Sequence, residues 1–283
     1  MTPRWIRANG LEFAYLEQGT GPLLLCLHGF PDTAWSFAPV LQLFAAAGYR
    51  AVAPFMRGYA PTSLAPDGDY GTNALAEDAV ALIEAFGERQ AFVVGHDWGS
   101  ATAYVSAAYY PERFKKIACA AVPHPRRFLF WPTFAQLRRS YYMGFFQLPR
   151  VPERTIVADD FRWLRALIRA WSPGWNFTEA DFAPLRAMFS DPQRLAAALA
   201  YYRAMPASLS EPRNRRALFK KIQVPALALR GSQDGCIGPE MFEGQEHCFA
   251  AEYRLQTLDG AGHFMQAEAP QAFASAVLDF FRD

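Results

Sequence analysis

Three short stretches carry residue types that could act together on a substrate. GHDWGS at 95–100 follows the apolar run AFVV and precedes an alanine-rich stretch, ATAYVSAAYY. Small residues two before and two after Asp97 let the chain turn sharply between strand and helix and expose the central side chain. A serine ordinarily stands at the centre of such a turn; here it is a carboxylate. GSQD ends in Asp234 after a second apolar run, and DGAGHF presents His263 on a glycine-rich loop after a third. In chain order the three are nucleophile, acid and histidine.

A carboxylate in place of a hydroxyl selects the chemistry. Attack on an ester or amide would generate an anhydride, a poor intermediate. At a saturated carbon bearing a leaving group, a carboxylate displaces that group and leaves an ordinary alkyl ester. The expected substrates are sp3 electrophiles, either strained epoxides or alkyl halides. His263, oriented by Asp234, would then draw a proton from water, a general-base contribution of typically about 10²–10⁴-fold. That water would attack the carbonyl carbon of the Asp97 ester. The plainer alternative for Asp97 is a helix N-cap at a turn, and Asp259 is the rival to Asp234. His96 is expected to point into the fold and support the turn, His124 to be a hinge or packing residue, and His247 to lie at the surface.

These residues need elements to hold them, and the chain supplies an alternation of strand and helix signals. LEFAYLE at 11–17 partly alternates, while LLLCL at 23–27 is a continuous apolar run, as a strand buried on both faces would be. A helix-like stretch near 36–47, the strand YRAVA at 49–53 and a helix over 73–86 follow. In that helix Leu75, Ala79, Leu82, Ile83 and Phe86 share one stripe, and Gly87 is a natural stop. AFVV at 91–94, a helix after Gly99 and KIACAAV at 116–122 continue the pattern. It resumes with VPALALRG at 224–231, a helix near 239–249, YRLQTL at 253–258 and a helix at 270–281. Such alternation predicts an α/β fold with a parallel sheet, whose ligands sit beyond the carboxyl ends of the strands. Asp97, Asp234 and His263 all follow strand ends. Residues 126–217, rich in Trp, Tyr, Phe, Arg and Pro, read as an α-helical insertion between a core part at 1–125 and another at 218–283.

Composition narrows the class. A chain of 283 residues can bury roughly three quarters of its unfolded surface, enough for a covered pocket. Lys+Arg 28 against Asp+Glu 27, with no basic tract, speaks against a nucleic-acid partner. Cys26, Cys119, Cys236 and Cys248 lack metal-type spacing and read as reduced thiols, with a Cys236 to Cys248 bridge the minor alternative. No apolar leader or spanning segment is evident, so a cytoplasmic protein that does not span a membrane is expected, as monomer or homodimer. The tryptophans Trp131, Trp163, Trp171 and Trp175 read mostly as core or pocket wall. The arginines at 126–127, 138–139 and 213–216 read as solvated helix faces.

The order of these residues and their strand positions resemble the α/β-hydrolase fold over nearly the whole chain. HGFP at 28–31 is similar to that family's oxyanion-hole loop. HGFP, GHDWG and a helical insertion together resemble the epoxide hydrolase and haloalkane dehalogenase branch. The resemblance implies an α/β-hydrolase fold with a mostly parallel eight-stranded sheet, flanking helices and an α-helical cap. It also implies oxyanion donors in the backbone N–H groups of Phe30 and Trp98, and a pocket that includes His28, Pro31, Trp98 and Phe145. Water is the implied co-substrate of a hydrophobic small molecule, with no metal and no organic cofactor.

Within that branch the two chemistries differ in the charge to be stabilised. An opened epoxide needs a proton on its oxygen, which phenols supply; an expelled halide prefers indole or amide N–H donors. Phe30 stands where haloalkane dehalogenases often carry Asn, and AYYRAM at 200–205 resembles the second tyrosine motif of epoxide hydrolases, which assigns a proton-donor role to Tyr202. The family's first tyrosine falls at Phe145 in FFQLPRVPE, a departure from pattern; Tyr141 or Tyr142, close by, is the candidate substitute. The expected activity is hydrolysis of epoxides to vicinal diols. Haloalkane dehalogenation and non-catalytic binding of a small molecule are the alternatives.

Overall fold

Leu23–Leu27 forms a strand in which every residue is buried, as its unbroken apolar run requires. The computed structural model describes residues 1–282. Among them, eight strands form one sheet: β1 (Arg4–Ala8), β2 (Leu11–Gln18), β3 (Leu23–Leu27), β4 (Arg50–Pro54), β5 (Ala91–His96), β6 (Phe114–Ala120), β7 (Ala226–Gly231) and β8 (Tyr253–Leu258). Their spatial order is β1-β2-β4-β3-β5-β6-β7-β8. β2 runs antiparallel to both neighbours and the remaining pairs are parallel. The register pairs His96 with Ala120, Ala120 with Leu229, and Gly231 with Leu258, so the carboxyl ends of β5 to β8 lie along one edge.

Helices α1 (Ala38–Ala46), α2 (Thr72–Ala85) and α3 (Trp98–Tyr109) connect the first strands. The stripe Leu75, Ala79, Leu82, Ile83 and Phe86 is buried, and α2 stops at Gly87, which takes φ +82. Seven helices lie between β6 and β7: α4 (Pro125–Phe130), α5 (Phe134–Arg139), α6 (Tyr141–Phe145), α7 (Val151–Trp171), α8 (Glu179–Phe189), α9 (Pro192–Ser210) and α10 (Pro212–Phe219). α7 is broken at 158–161, where Asp159, Asp160 and Phe161 have positive φ. After β8 come α11 (Met265–Glu268) and α12 (Pro270–Arg282), and α12 packs on α1 while α2 packs on α3. Among the described residues no helix is long and apolar enough to cross a membrane.

Three expectations are corrected: the helix near 239–249, Trp131 as core, and Arg126 on a solvated face. The helix near 239–249 is two single 3-10 turns, Pro239–Phe242 and Glu246–Cys248, because Gly244 at φ +70 interrupts any continuous helix between them. The edge strand β1 was not expected; it is set by the Asn9-Gly10 turn, both residues at positive φ, which pairs RWIRA with β2. The reduced-thiol reading of the cysteines stands: all four are free and buried, and Cys236 and Cys248 form no bridge. Trp131 is half exposed rather than core, and Arg126 stacks on its ring and on Phe219 instead of standing free in solvent.

Candidate active site

β5 ends at His96 and α3 begins at Trp98, so the chain reverses at Asp97 alone, with φ 51 and ψ −114. A non-glycine residue in that region costs on the order of 1–3 kcal/mol and persists only where its surroundings enforce it. Here the enforcement is steric. A Cβ on Gly95 would run into the Gly99 carbonyl, and one on Gly99 into the Leu27 carbonyl, so both glycines are required for the tight turn. The Asp97 side chain makes no helix-capping hydrogen bond, which removes the plainer reading of the turn. Its Oδ1 accepts the Phe30 N–H at 2.7 Å, and the nearby Trp98 N–H favours the ionised carboxylate. Oδ2 lies 3.9 Å from His263 Nε2, outside hydrogen-bonding range.

His263 Nδ1 is 3.0 Å from Asp234 Oδ2, and Asp234 Oδ1 is held by the N–H groups of Cys236 at 2.7 Å and Ile237 at 3.0 Å. Asp259 is exposed, so Asp234 is the residue that meets the ring. The His263 backbone is clamped as well: its N–H donates to the Trp171 carbonyl at 3.1 Å, and its carbonyl accepts from His96 Nε2 at 3.0 Å. His96 therefore supports the histidine loop. Behind it lies Asp32, 3.5 Å from His96 Nδ1 and itself held by Thr33 N–H, Ser36 Oγ and Gln266 Nε2. Glu268 accepts from Gly262 N–H and Ser172 Oγ on the other side of the loop. Burial raises the Asp97 carboxyl above its ordinary value, opposed by His263, His96 and the two backbone donors. Burial works to lower His263, but Asp234 outweighs it and the ring is raised overall.

A cavity of about 110 Å³ opens on Asp97, with Trp98, Tyr142, Met143, Tyr202 and Ile237 around it. The Tyr202 ring stands edge-on to Trp98 and Phe30, with centroids at 5.1 and 5.5 Å. Tyr142 stands 5.9 Å from Tyr202, its hydroxyl 3.5 Å from Cys236 Sγ. Burial pushes both phenols well up, so both keep their protons near neutrality. Between the two candidates for a second phenol, Tyr142 is buried in this wall and Tyr141 is 55% exposed. A helix turns about 100° per residue, so adjacent positions cannot both face the cavity.

Of the expected pocket residues only Trp98 lines this cavity. His28 turns away, its Nε2 accepting the Met56 N–H at 3.0 Å and its ring against Tyr59. Pro31 lines a separate cavity of about 260 Å³ bounded by Trp35, Trp175 and Phe264. Phe145 packs on Trp163 and Phe146. Met143 and Ile237 are wall residues the motifs do not single out; behind the wall, Phe146 is fully buried between Phe30 and Tyr202, and Cys236 stands against the Tyr142 hydroxyl. The only signal in the sequence is that Phe146 belongs to FFQ and that Cys236 and Ile237 follow Asp234 closely. His124 is buried and caps α4, and His247 is exposed, as expected. Among the described residues no group of three His, Cys, Asp or Glu side chains is placed to hold a metal ion.

Comparison with known proteins agrees with this geometry. The alpha/beta hydrolase fold family model matches residues 22–270. An AB hydrolase superfamily protein of Bacillus subtilis, YfhM, is 30% identical over 99% of this chain and 98% of its own length. Human Epoxide hydrolase 4 is 31% identical over 98% of this chain and 78% of its own. The crystal structure of Epoxide Hydrolase A from Mycobacterium thermoresistibile superposes with a TM-score of 0.87 at 27% identity, covering 99% of this chain and 98% of that one. With the sheet order, the turn at Asp97 and these likenesses together, the chain belongs to the α/β-hydrolase family, as a hydrolase of epoxide hydrolase type.

Proposed function

We propose that the protein opens epoxides to vicinal diols through a covalent ester on Asp97, beneath a cap formed by residues 126–217. Oδ1 accepts the Phe30 N–H, so Oδ2 is the oxygen free to attack. Its lone pair forms a bond to an oxirane carbon, the C–O bond breaks, and the electron pair passes to the oxirane oxygen. Tyr202 and Tyr142 donate to that oxygen, one transferring its proton to the forming alkoxide and recovering it from solvent. Water then gives a proton to His263 Nε2 while its oxygen bonds to the Asp97 carbonyl carbon. The oxyanion forms on Oδ1, already against the Phe30 N–H, with the Trp98 N–H as the second proposed donor; one such donor is worth about 3–4 kcal/mol. Collapse breaks the bond from the carbonyl carbon to Oδ2 and expels that oxygen with the diol, which takes the proton from His263, and the new Asp97 carboxyl loses its remaining proton to solvent.

The observation that carries the epoxide reading over halide displacement is the pair of buried phenols, Tyr142 and Tyr202, sharing one cavity with Asp97. They supply protons, and an alkoxide needs one where a halide does not. The test is the His263→Gln variant, which should stall ester hydrolysis. After incubation with a panel of epoxides and haloalkanes, intact-mass measurement should show an adduct equal to a whole epoxide, on the peptide containing Asp97. An adduct equal to a haloalkane less hydrogen halide would transfer the assignment to dehalogenation.

A further inference from the structure

The cavity at Asp97 extends well past the nucleophile. One of its walls is a single face of α3: Trp98, Ala101, Val105 and Tyr109 follow one another at intervals of three, four and four. That spacing stacks side chains on one side of a helix. Eleven steps at about 1.5 Å rise cover roughly 16 Å, so the cavity follows α3 from its first residue to its last. Across from it stand Phe128 and Leu129 of α4, Met205 and Leu209 of α9, and Leu218 of α10. A volume of about 110 Å³ drawn out over that length is a narrow slot rather than a chamber. Polar side chains line it at its two ends. Asp97, Tyr142 and Tyr202 form one; Tyr109, hydrogen-bonded through its hydroxyl to Asn214, forms the other with Thr72 and Ser208.

A small compact substrate would use only the Asp97 end, and the middle offers a polar chain no hydrogen bonds. We propose that the slot binds an unbranched alkyl tail, so that the preferred substrates are long-chain aliphatic epoxides with the oxirane at the Asp97 end and the chain laid along α3. This rests on the epoxide reading above and deepens it. An all-trans chain advances about 1.2 Å per bond, as three bonds of extended polypeptide cover roughly 3.6 Å. The slot therefore takes about a dozen carbons. Beyond that a tail meets Thr72, Ser208 and Asn214, where further methylenes find polar neighbours and add nothing.

The test is kcat/KM of the full chain for a series from 1,2-epoxybutane to 1,2-epoxytetradecane, each below its solubility limit. The expected result is a rise of roughly two- to fourfold per added methylene, levelling near a dozen carbons. Val105→Trp and Leu209→Trp, which fill the slot at its middle and far end, should each lower the dodecane-to-butane ratio of kcat/KM at least tenfold. If either variant does not fold, the wild-type series still decides. Turnover that is flat or falls with length, or slot-filling variants with the wild-type ratio, would overturn the tail slot and leave the epoxide chemistry standing. No turnover of any member, the shortest included, would overturn the epoxide reading and the tail slot with it.

Discussion

At the scale of single residues, the proposed donor pair rests on which phenols border the cavity at Asp97. Tyr142 and Tyr202 are buried against the same cavity, and Tyr141 points to solvent. In a His263→Gln background, where only ring opening proceeds, Tyr202→Phe and Tyr142→Phe should each slow adduct formation by about 10²-fold, at the low end of general-acid contributions. Tyr141→Phe should leave the rate within about twofold of its parent. The rates can be read by quenching at intervals and weighing the intact protein. A Tyr141→Phe loss equal to that of Tyr142→Phe would place the second donor elsewhere than the cavity wall. Cys236, whose sulfur meets the Tyr142 hydroxyl, helps fix where that phenol stands on the cavity wall.

At the scale of elements, the site depends on how closely β5 and α3 approach. Gly99 lies so near the Leu27 carbonyl that any Cβ would push α3 off the sheet, whereas Gly87, at φ +82 after α2, has open space around it. Gly99→Ala should cost roughly 3 kcal/mol or more, in the range of the most damaging single substitutions, or prevent folding. Gly87→Ala should cost about 1–2 kcal/mol, the backbone penalty alone. Urea unfolding of the two variants and the yield of soluble protein give the comparison. Similar losses would mean that the Gly99 turn relaxes readily. Asp97 itself, strained at the head of α3, is held by the same contact, so element packing and nucleophile geometry are one constraint.

At the scale of the whole molecule, buried histidines couple stability to pH. His28, at the head of the 28–31 loop, is fully buried; burial lowers its pKa from the ordinary 6.5 to about 4, with Asp32 opposing. The unfolded chain takes up a proton near pH 6.5 and the folded chain only near 4. The contribution is therefore complete above 6.5 and is lost progressively as pH falls to about 4, a total of roughly 3 kcal/mol. His124, lowered to about 3 by burial and Arg126, adds a loss in the same direction. His28→Gln keeps an acceptor for the Met56 N–H and cannot take up a proton. Between pH 7.5 and pH 5 its unfolding free energy should fall by about 2 kcal/mol less than that of the parent. Equal falls would show that His28 does not stay neutral.

Fold class and the Asp97, Asp234 and His263 set were legible in the chain alone. Strand runs such as LLLCL, glycine-flanked turns and residues just past strand ends are local patterns, and local sterics and periodicity determine them. The helix expected near 239–249 does not form because Gly244 takes positive φ and splits the segment into two short turns, and β1 leaves little trace in the sequence because an exposed edge strand carries little apolar signal. Tertiary structure alone decided which tyrosine joins Tyr202, that His28, Pro31 and Phe145 stand outside the cavity, and that the cavity runs along α3. Each of these depends on how helices from distant parts of the chain rotate and settle against α3. That rotation is set by the packing of whole faces, and residues adjacent in sequence do not carry it.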